Sequence, residues 1–141
     1  MNYQESTLSS EMWKKFTTGY SSIEKRHMRK MSEHKLTIPQ FNVLRVLFNS
    51  GSIPLKKISN ELNVTGANIT CVVDNLEKRK FVTRMPSKVD RRIINAELTD
   101  KGREMIETIF PTYIDVLEKA TTNLEDKEKK EFIRLLEKLV A

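Results

Sequence analysis

The chain is short, basic and poor in turn-forming residues. Its 141 residues are enough for one ordinary domain and exclude two large ones. Only four glycines and four prolines accompany 38% apolar residues, which excludes a low-complexity chain and disfavours an all-β fold. We therefore expect a mainly helical globular protein, and its formal charge of +6 favours a polyanionic partner.

The positive charge is concentrated in the middle of the chain. Residues 35–98 contain 11 basic and 5 acidic side chains, a net +6, whereas residues 1–34 carry +2 and residues 99–141 carry −2. This contrast predicts one basic functional module at 35–98 between two flanking segments of another purpose.

Several classes of site and location are disfavoured. The first residues lack a signal-peptide pattern, and no run approaches the ~18 apolar residues of a membrane helix, so we expect a cytoplasmic protein without membrane contact. Cys71 is the one cysteine, and His27 and His34 lack partners for a zinc site, so neither a metal nor a cofactor is expected.

The first two helices are predicted from their apolar spacing. Between Leu8 and about Met31, large apolar residues recur every three or four positions, which makes one stripe that needs a partner surface. The second helix begins where Thr37 can cap it and Pro39 can occupy the first turn.

A helix-turn-helix is predicted over 55–78. A short helix from Leu55 to Leu62 is followed by a three-residue turn, and Thr65 is placed to cap the next helix. Ile69, Val73 and Leu76, with Val72, form the inner face of that second helix. The opposite side carries small and polar residues, which suits insertion into a groove: Ala67, Cys71, Asp74 and Lys78, bordered by Asn68, Thr70 and Asn75.

A β-hairpin is predicted next, over 81–98. Two runs rich in β-branched and aromatic residues, 81–85 and 93–98, flank the polar connection 86–92, which would project three cations as an exposed tip. A hairpin behind a helix-turn-helix is a wing.

Thr99 then caps a helix through about Ala120, with Pro111 as a kink, and a last helix follows residue 126. The apolar residues expected to face inward from the first of these helices are Ile106, Ile109, Phe110, Ile114 and Leu117.

With these elements the chain resembles the MarR-type winged helix-turn-helix transcriptional regulators, from about Leu8 to Leu139. Asp90-Arg91-Arg92 followed by Leu98-Thr99-Asp100-Lys101-Gly102 is similar to the wing signature of that family. Residues 72–77 resemble the end of its recognition helix, and residues 124–139 resemble its last helix.

The resemblance implies a mainly α fold with a small β-wing, in which the DNA-binding module is embedded in a helical dimerisation domain formed by 1–34 and 99–141. It also implies a homodimer that displays two winged modules to palindromic double-stranded DNA, with transcriptional repression as the expected function. A two-fold dimer would place its recognition helices about 34 Å apart, one turn of DNA.

Each expected DNA contact has a physical reason. Arg92 suits the minor groove with Asp90 orienting its guanidinium, while Arg91, Lys88 and Arg84 suit phosphates. In the recognition helix no Arg or Lys precedes Lys78, so base readout falls to the neutral side chains of that helix. The expected set is Lys56, Lys57, Thr65, Ala67, Asn68, Thr70, Cys71, Asn75, Arg84, Lys88, Asp90, Arg91 and Arg92.

Two features leave alternatives open. Cys71 fits either as a small neutral residue on the groove-facing side or as a thiol whose oxidation would oppose DNA binding, and we favour the former. The aromatic residues Trp13, Phe16, Tyr20, Phe41 and Phe48 fit a dimer core better than a ligand pocket, although the resemblance implies a pocket for a small-molecule effector there.

An enzyme is disfavoured because the chain has no phosphate-binding glycine loop, no Ser/His/Asp set and no second cysteine. The alternative function is a winged-helix module that binds protein instead of DNA. Salt dependence of binding separates the two, because phosphate contacts release counterions.

Overall fold

The computed structural model describes residues 7–140, and within this range the chain forms six helices and one small sheet. The expectation about the start of the chain falls partly on residues 1–6, outside this range. The elements are α1 (Leu8–Glu33), α2 (Ile38–Ser50), β1 (Ile53–Pro54), α3 (Leu55–Leu62), α4 (Gly66–Lys78), β2 (Val82–Pro86), β3 (Ile94–Leu98), α5 (Asp100–Ala120) and α6 (Asp126–Val140). The predicted fold class, mainly α with a small β-wing, is confirmed.

The chain forms two compact units. One unit contains the chain up to His27 together with the chain from Tyr113 onward, and the other contains Met28–Thr112. We call them the terminal unit and the central unit. The division predicted at 34/35 and 98/99 concerns function rather than compactness and stays a prediction.

The helix starts of the central unit follow from local side-chain chemistry. Thr37 accepts a hydrogen bond from the Gln40 backbone N–H, and the Gln40 side chain accepts one from the Thr37 N–H, a complete capping box at the start of α2. Thr65 caps α4 in the same way by accepting from the Asn68 N–H at 3.2 Å. Both caps were predicted from the sequence.

The core of the central unit is continuous from helices to sheet. α2 contributes five buried side chains, α4 contributes three, and both strands of the hairpin contribute one each. Burial of the side chains larger than alanine in this set stabilises the fold by about 1.5 to 3 kcal/mol each. The full set is Phe41, Val43, Leu44, Val46, Leu47, Ile69, Val73, Leu76, Val82 and Ala96.

The sheet has three antiparallel strands in the order β1-β3-β2. The predicted hairpin is β2 and β3, with Val82 paired to Leu98 and Pro86 to Ile94. Strand β1 was not predicted from the sequence; it has only two residues and pairs Ile53 with Ala96. Pro54 suits this edge strand because its missing N–H would have no partner there.

The terminal unit buries little of its apolar surface. Val116 is buried on α5, whereas Ile114, expected to face inward, is 39% exposed. α6 has no buried residue along its whole length. Helices with unburied apolar stripes need a further surface to cover them. Pro111 lies inside α5, and the helix continues past it to Ala120.

Candidate nucleic-acid interface

The helix-turn-helix is formed by α3, a turn at residues 63–65, and α4. Asn63 ends α3 with φ +54°, a left-handed conformation that Asn tolerates better than most residues. The Val64 N–H donates to the Ser59 carbonyl, and Thr65 then caps α4. The turn therefore has the three residues that the sequence predicts.

The α4 side chains predicted to contact DNA are exposed and uncharged. Ile69, Val73 and Leu76 hold the helix on the core, and the residues predicted to contact DNA lie exposed on the rest of its surface: Ala67, Asn68, Thr70, Cys71 and Asn75. Lys56 and Lys57 are exposed on α3. The Thr70 hydroxyl donates to the Gly66 carbonyl, so its proton is used within the helix.

The wing tip is the connection between β2 and β3, residues 87–93. It is closed by two backbone hydrogen bonds, from Ser87 N–H to Ile93 and from Ile93 N–H to Asp90. Lys88, Arg91 and Arg92 are all exposed. The tip therefore presents three cations on a loop with a defined backbone.

Asp90 orients Arg92, as the sequence analysis expected. Its carboxylate accepts from Arg92 Nε at 3.1 Å, from Nη2 at 3.0 Å and from the Arg92 backbone N–H at 3.0 Å. These hydrogen bonds lower the pKa of Asp90 and raise that of Arg92. The Arg92 side chain is nevertheless 91% exposed, so it is held in one direction but remains open to a ligand.

Arg84, which is expected to contact a DNA phosphate, forms ion pairs within the protein. Its Nη1 lies 2.6 Å from Asp74 Oδ1, and its Nη2 lies 3.0 Å from Glu77 Oε1. The guanidinium therefore joins β2 to α4 instead of pointing outward as a free cation. Asp74 and Glu77 were not predicted as its partners. Their i, i+3 spacing on one helix was the available signal.

Two further cations beside the wing are used in packing. Arg79 and Lys101 lie on the Phe81 ring, each with its charged group 4.8 Å from the ring centroid. Arg79 also donates to the Lys35 carbonyl, and Lys101 donates to the Arg79 carbonyl. They fix the junction of α4, β2 and α5.

The five aromatic residues expected to cluster are divided between the two units. Trp13, Phe16 and Tyr20 line a groove of about 800 Å³ in the terminal unit, opposite Phe132, Leu135, Leu136 and Leu139 of α6. Phe41 is buried in the central unit, where the Arg103 guanidinium lies 5.5 Å from the centroid of the Phe48 ring. Neither Phe41 nor Phe48 lines this groove, because α2 carries them into the other unit.

Residues 7–140 contain no group of three or more His, Cys, Asp or Glu side chains placed to hold a metal ion. None of the helices in that range combines the length and apolar character that a membrane span needs.

The fold and this surface define a winged helix-turn-helix protein. A capped second helix with an exposed face and a basic wing tip belong to one compact unit, the arrangement by which this class reads duplex DNA. Comparison with known proteins identifies the family within that class.

The model of the MarR family matches residues 36–94. The HTH-type transcriptional regulator YkoM of Bacillus subtilis is 30% identical over 137 residues, which are 97% of this chain and 89% of YkoM. The chain therefore belongs to the MarR family, which consists of transcriptional regulators and not of enzymes.

Solved structures share the fold. A mutant of E. coli MarR in complex with operator DNA superposes with a TM-score of 0.86 at 23% identity, covering 96% of this chain and 100% of that one. Bordetella bronchiseptica BpsR, studied for regulation of its DNA binding by 6-hydroxynicotinic acid, superposes with a TM-score of 0.83 at 23% identity, covering 93% and 99%.

Proposed function

We propose that the chain is a homodimeric transcriptional repressor that binds a palindromic operator and is released from it by a small-molecule effector. The observation that carries the DNA-binding part is the position of the oriented Arg92 and two further exposed cations at the tip of a wing packed beside a recognition helix. The predicted DNA-contacting side chains of that helix are exposed and uncharged. Both features lie in the segment of net charge +6.

The uncharged side chains predicted to contact DNA from α4 and the cations of the wing have different tasks. Asn68 can pair with the edge of adenine and the Thr70 methyl group can contact a thymine methyl, whereas the wing supplies charge for phosphates and for a narrow minor groove. Lys56 and Lys57 on α3 would contact the backbone, where they fix register without reading sequence.

The terminal unit supports the homodimer. α6 has no buried residue, although Phe132, Leu135 and Leu139 form an apolar stripe on it. A second copy packed on this stripe and on the aromatic side of α1 would bury surface that a single chain leaves in water. Two copies related by a two-fold axis would read two half-sites about one DNA turn apart.

Release by an effector follows from the same arrangement. A ligand that prefers one spacing of the two recognition helices shifts the population towards it and spoils one set of contacts. A loss of about 3 kcal/mol weakens binding more than a hundredfold. In BpsR, whose fold is similar, DNA binding is regulated by 6-hydroxynicotinic acid.

The first test is selection from a random pool of duplex DNA, with the affinity of the selected sequence measured at two salt concentrations. We expect an enriched palindrome whose half-sites lie about one turn apart, and binding that weakens steeply with salt. If purified protein binds no duplex at all, the DNA-binding proposal is wrong and a protein-interaction module takes its place.

Arg92 provides the matched mutational test. We expect Arg92→Ala to weaken operator binding about tenfold to a hundredfold, the range for losing one well-placed contact to the DNA, without changing the dimer or Tm. The control is Arg134→Ala, because Arg134 is also a surface arginine, 54% exposed, and is paired with a neighbouring carboxylate, Glu131, on α6. Equal affinities for the two variants, measured by fluorescence anisotropy, would remove Arg92 from the interface.

A further inference from the structure

Arg84 lies where the free edge of the sheet meets the recognition helix. β2 is an edge strand, and the backbone N–H of Arg84 donates to Glu77 Oε2 at 2.9 Å rather than to a neighbouring strand. The Arg84 guanidinium donates to the other oxygen of the same carboxylate at 3.0 Å. Glu77 is therefore bound to both the main chain and the side chain of one strand residue.

Asp74 completes the arrangement one helical turn away. Its Oδ1 lies 2.6 Å from Arg84 Nη1, so the planar guanidinium spans two carboxylates of α4. The hydrogen bonds from Arg84 lower the pKa of Glu77, which keeps its carboxylate charged. The Arg84 side chain is only 29% exposed, in contrast to the freely exposed cations at the tip. We call Asp74, Glu77 and Arg84 the clamp.

The clamp is close to the wing tip along the chain. Arg84 precedes Ser87, where the tip begins, by three residues, a span of about 10 Å in an extended strand. On the helix side, Asp74 lies one turn beyond Cys71 on the exposed face. A change of angle at the clamp would therefore displace the tip cations relative to the base-reading side chains.

We propose that the clamp is a positioning device: it sets the direction of the wing relative to the recognition helix, and DNA affinity depends on it although none of its side chains touches DNA. The inference rests on the proposed DNA-binding function. Its physical basis is that a binding site loses affinity when its supporting residues let the contacting side chains shift by about 1 Å, even if those side chains are intact.

Neutralising the acidic partners distinguishes the clamp from simple electrostatics. Glu77→Gln and Asp74→Asn remove negative charge from a DNA-binding surface, which by charge alone would strengthen binding to the polyanion. If the clamp positions the wing, both variants instead weaken operator binding, about tenfold for Glu77→Gln, a loss of about 1.4 kcal/mol. Glu61→Gln is the control, because Glu61 is an exposed acid on α3 outside the clamp.

Arg84 itself distinguishes the clamp from a phosphate contact. A lysine keeps the charge but cannot span two carboxylates with a planar fork. Under the clamp, Arg84→Lys loses about as much affinity as Arg84→Met, and the slope of log affinity against log salt stays that of the wild type. Under a phosphate contact, the lysine variant retains affinity and the methionine variant lowers the slope by about one.

A spectroscopic readout separates positioning from mere stability. A nitroxide attached to Val89→Cys in a Cys71→Ser background reports on the tip, since Val89 is 96% exposed. We expect Glu77→Gln to increase the nitroxide mobility in the free protein at temperatures where circular dichroism shows a full helical signal.

Unchanged mobility together with unchanged affinity would overturn the clamp. If Glu77→Gln does not fold, Asp74→Asn is used instead, because Asp74 is the more exposed partner. Failure of the wild-type chain to select any duplex would instead overturn the proposed function, so the two failures are distinguishable.

Discussion

Gly102 occupies a position where a side chain cannot fit. It lies in the first turn of α5, where its N–H donates to the Thr99 hydroxyl at 3.0 Å. A Cβ placed there would clash with the Phe81 carbonyl oxygen, and it would lie 2.9 Å from the Phe81 carbonyl carbon and 3.3 Å from Leu98 Cδ2. The close approach lets the Thr99 N–H donate to the Phe81 carbonyl and so joins α5 to the end of the wing.

Gly102→Ala should therefore destabilise the protein. The clash is with backbone rather than with a flexible side chain, so strand or helix must shift, at a cost of about 1 to 3 kcal/mol. The matched control is Gly66→Ala, since no atom lies within 4 Å of a Cβ at Gly66. Chemical denaturation measures both. Equal free energies of unfolding for the two variants would show that the contact between α5 and the Phe81 backbone adjusts to the added methyl group at no cost in stability.

His27 makes stability depend on pH, because its ring is partly buried. It stacks on Tyr113 with ring centroids 4.8 Å apart, and its Nε2 is buried without a hydrogen-bond partner. Burial lowers the pKa of His27, and a hydrogen bond with the Tyr113 backbone opposes part of that shift. The folded protein therefore favours the neutral ring more than the unfolded chain does.

The sign of the pH dependence follows from this shift. Between the lowered pKa and the ordinary value near 6.5, the unfolded chain binds more protons, so stability falls as pH falls through this window. We expect Tm to decrease from pH 7 to pH 5 and His27→Gln to reduce that decrease. His34→Gln, which leaves His27 in place, should keep it. A wild-type slope in His27→Gln would contradict the assignment.

At the scale of elements, local signals predicted most of the central unit and failed where partners are distant. Thr37, Thr65 and the 3.6-residue spacing of Ile69, Val73 and Leu76 predict α2 and α4, because caps and amphipathic faces are encoded within a few residues. β1 could not be predicted in this way. Its two residues have no pattern of their own and are a strand only because β3 lies beside them.

The same distinction applies to the candidate site. Asp90 and Arg92 are two positions apart, and their pairing was predicted from the sequence. The partners of Arg84 lie on the preceding helix, across the turn that leads into β2, so the sequence showed a cation but not its orientation. Phe41 and Phe48 share aromatic character with Trp13, yet α2 carries them into another unit.

The N-terminal cap of α4 provides a test at this scale. Thr65→Ala removes the acceptor for the Asn68 N–H and should cost about 1 kcal/mol of stability. Loss of this cap frays the first turn of α4, which contains Asn68, a predicted DNA-contacting residue. Operator affinity should therefore fall several-fold as well. Thr37→Ala is the control, since it removes a comparable cap from α2, whose residues are not predicted to contact DNA. Equal affinity losses in the two variants would attribute the effect to stability alone.

At the scale of the whole molecule, charge and apolar surface are distributed in opposite ways. The basic surplus lies within residues 35–98, whereas the terminal unit contains the longest exposed apolar faces of the described chain. Trp13 is 56% exposed and Tyr20 is 59% exposed on α1, facing a groove lined by α6. One part of the molecule is thus suited to a polyanion and the other to a second apolar surface.

This division predicts that dimer formation and DNA recognition can be separated by mutation. Leu135→Glu places a charge in the middle of the apolar stripe of α6, where burial against a second copy would be strongly unfavourable. We expect this variant to be monomeric by light scattering while the central unit stays folded. Its operator affinity should fall by about a hundredfold or more, because two linked half-sites no longer bind together.

Lys130→Glu is the matched control for that variant. It also introduces a glutamate into α6, but on the side of the helix opposite the apolar stripe, so the dimer should persist. Binding to a single half-site completes the test, since a monomer with an intact central unit should bind it as the wild type does. A Leu135→Glu protein that stays dimeric would place the interface elsewhere. A monomer with undiminished operator affinity would show that this chain reads DNA without its second copy.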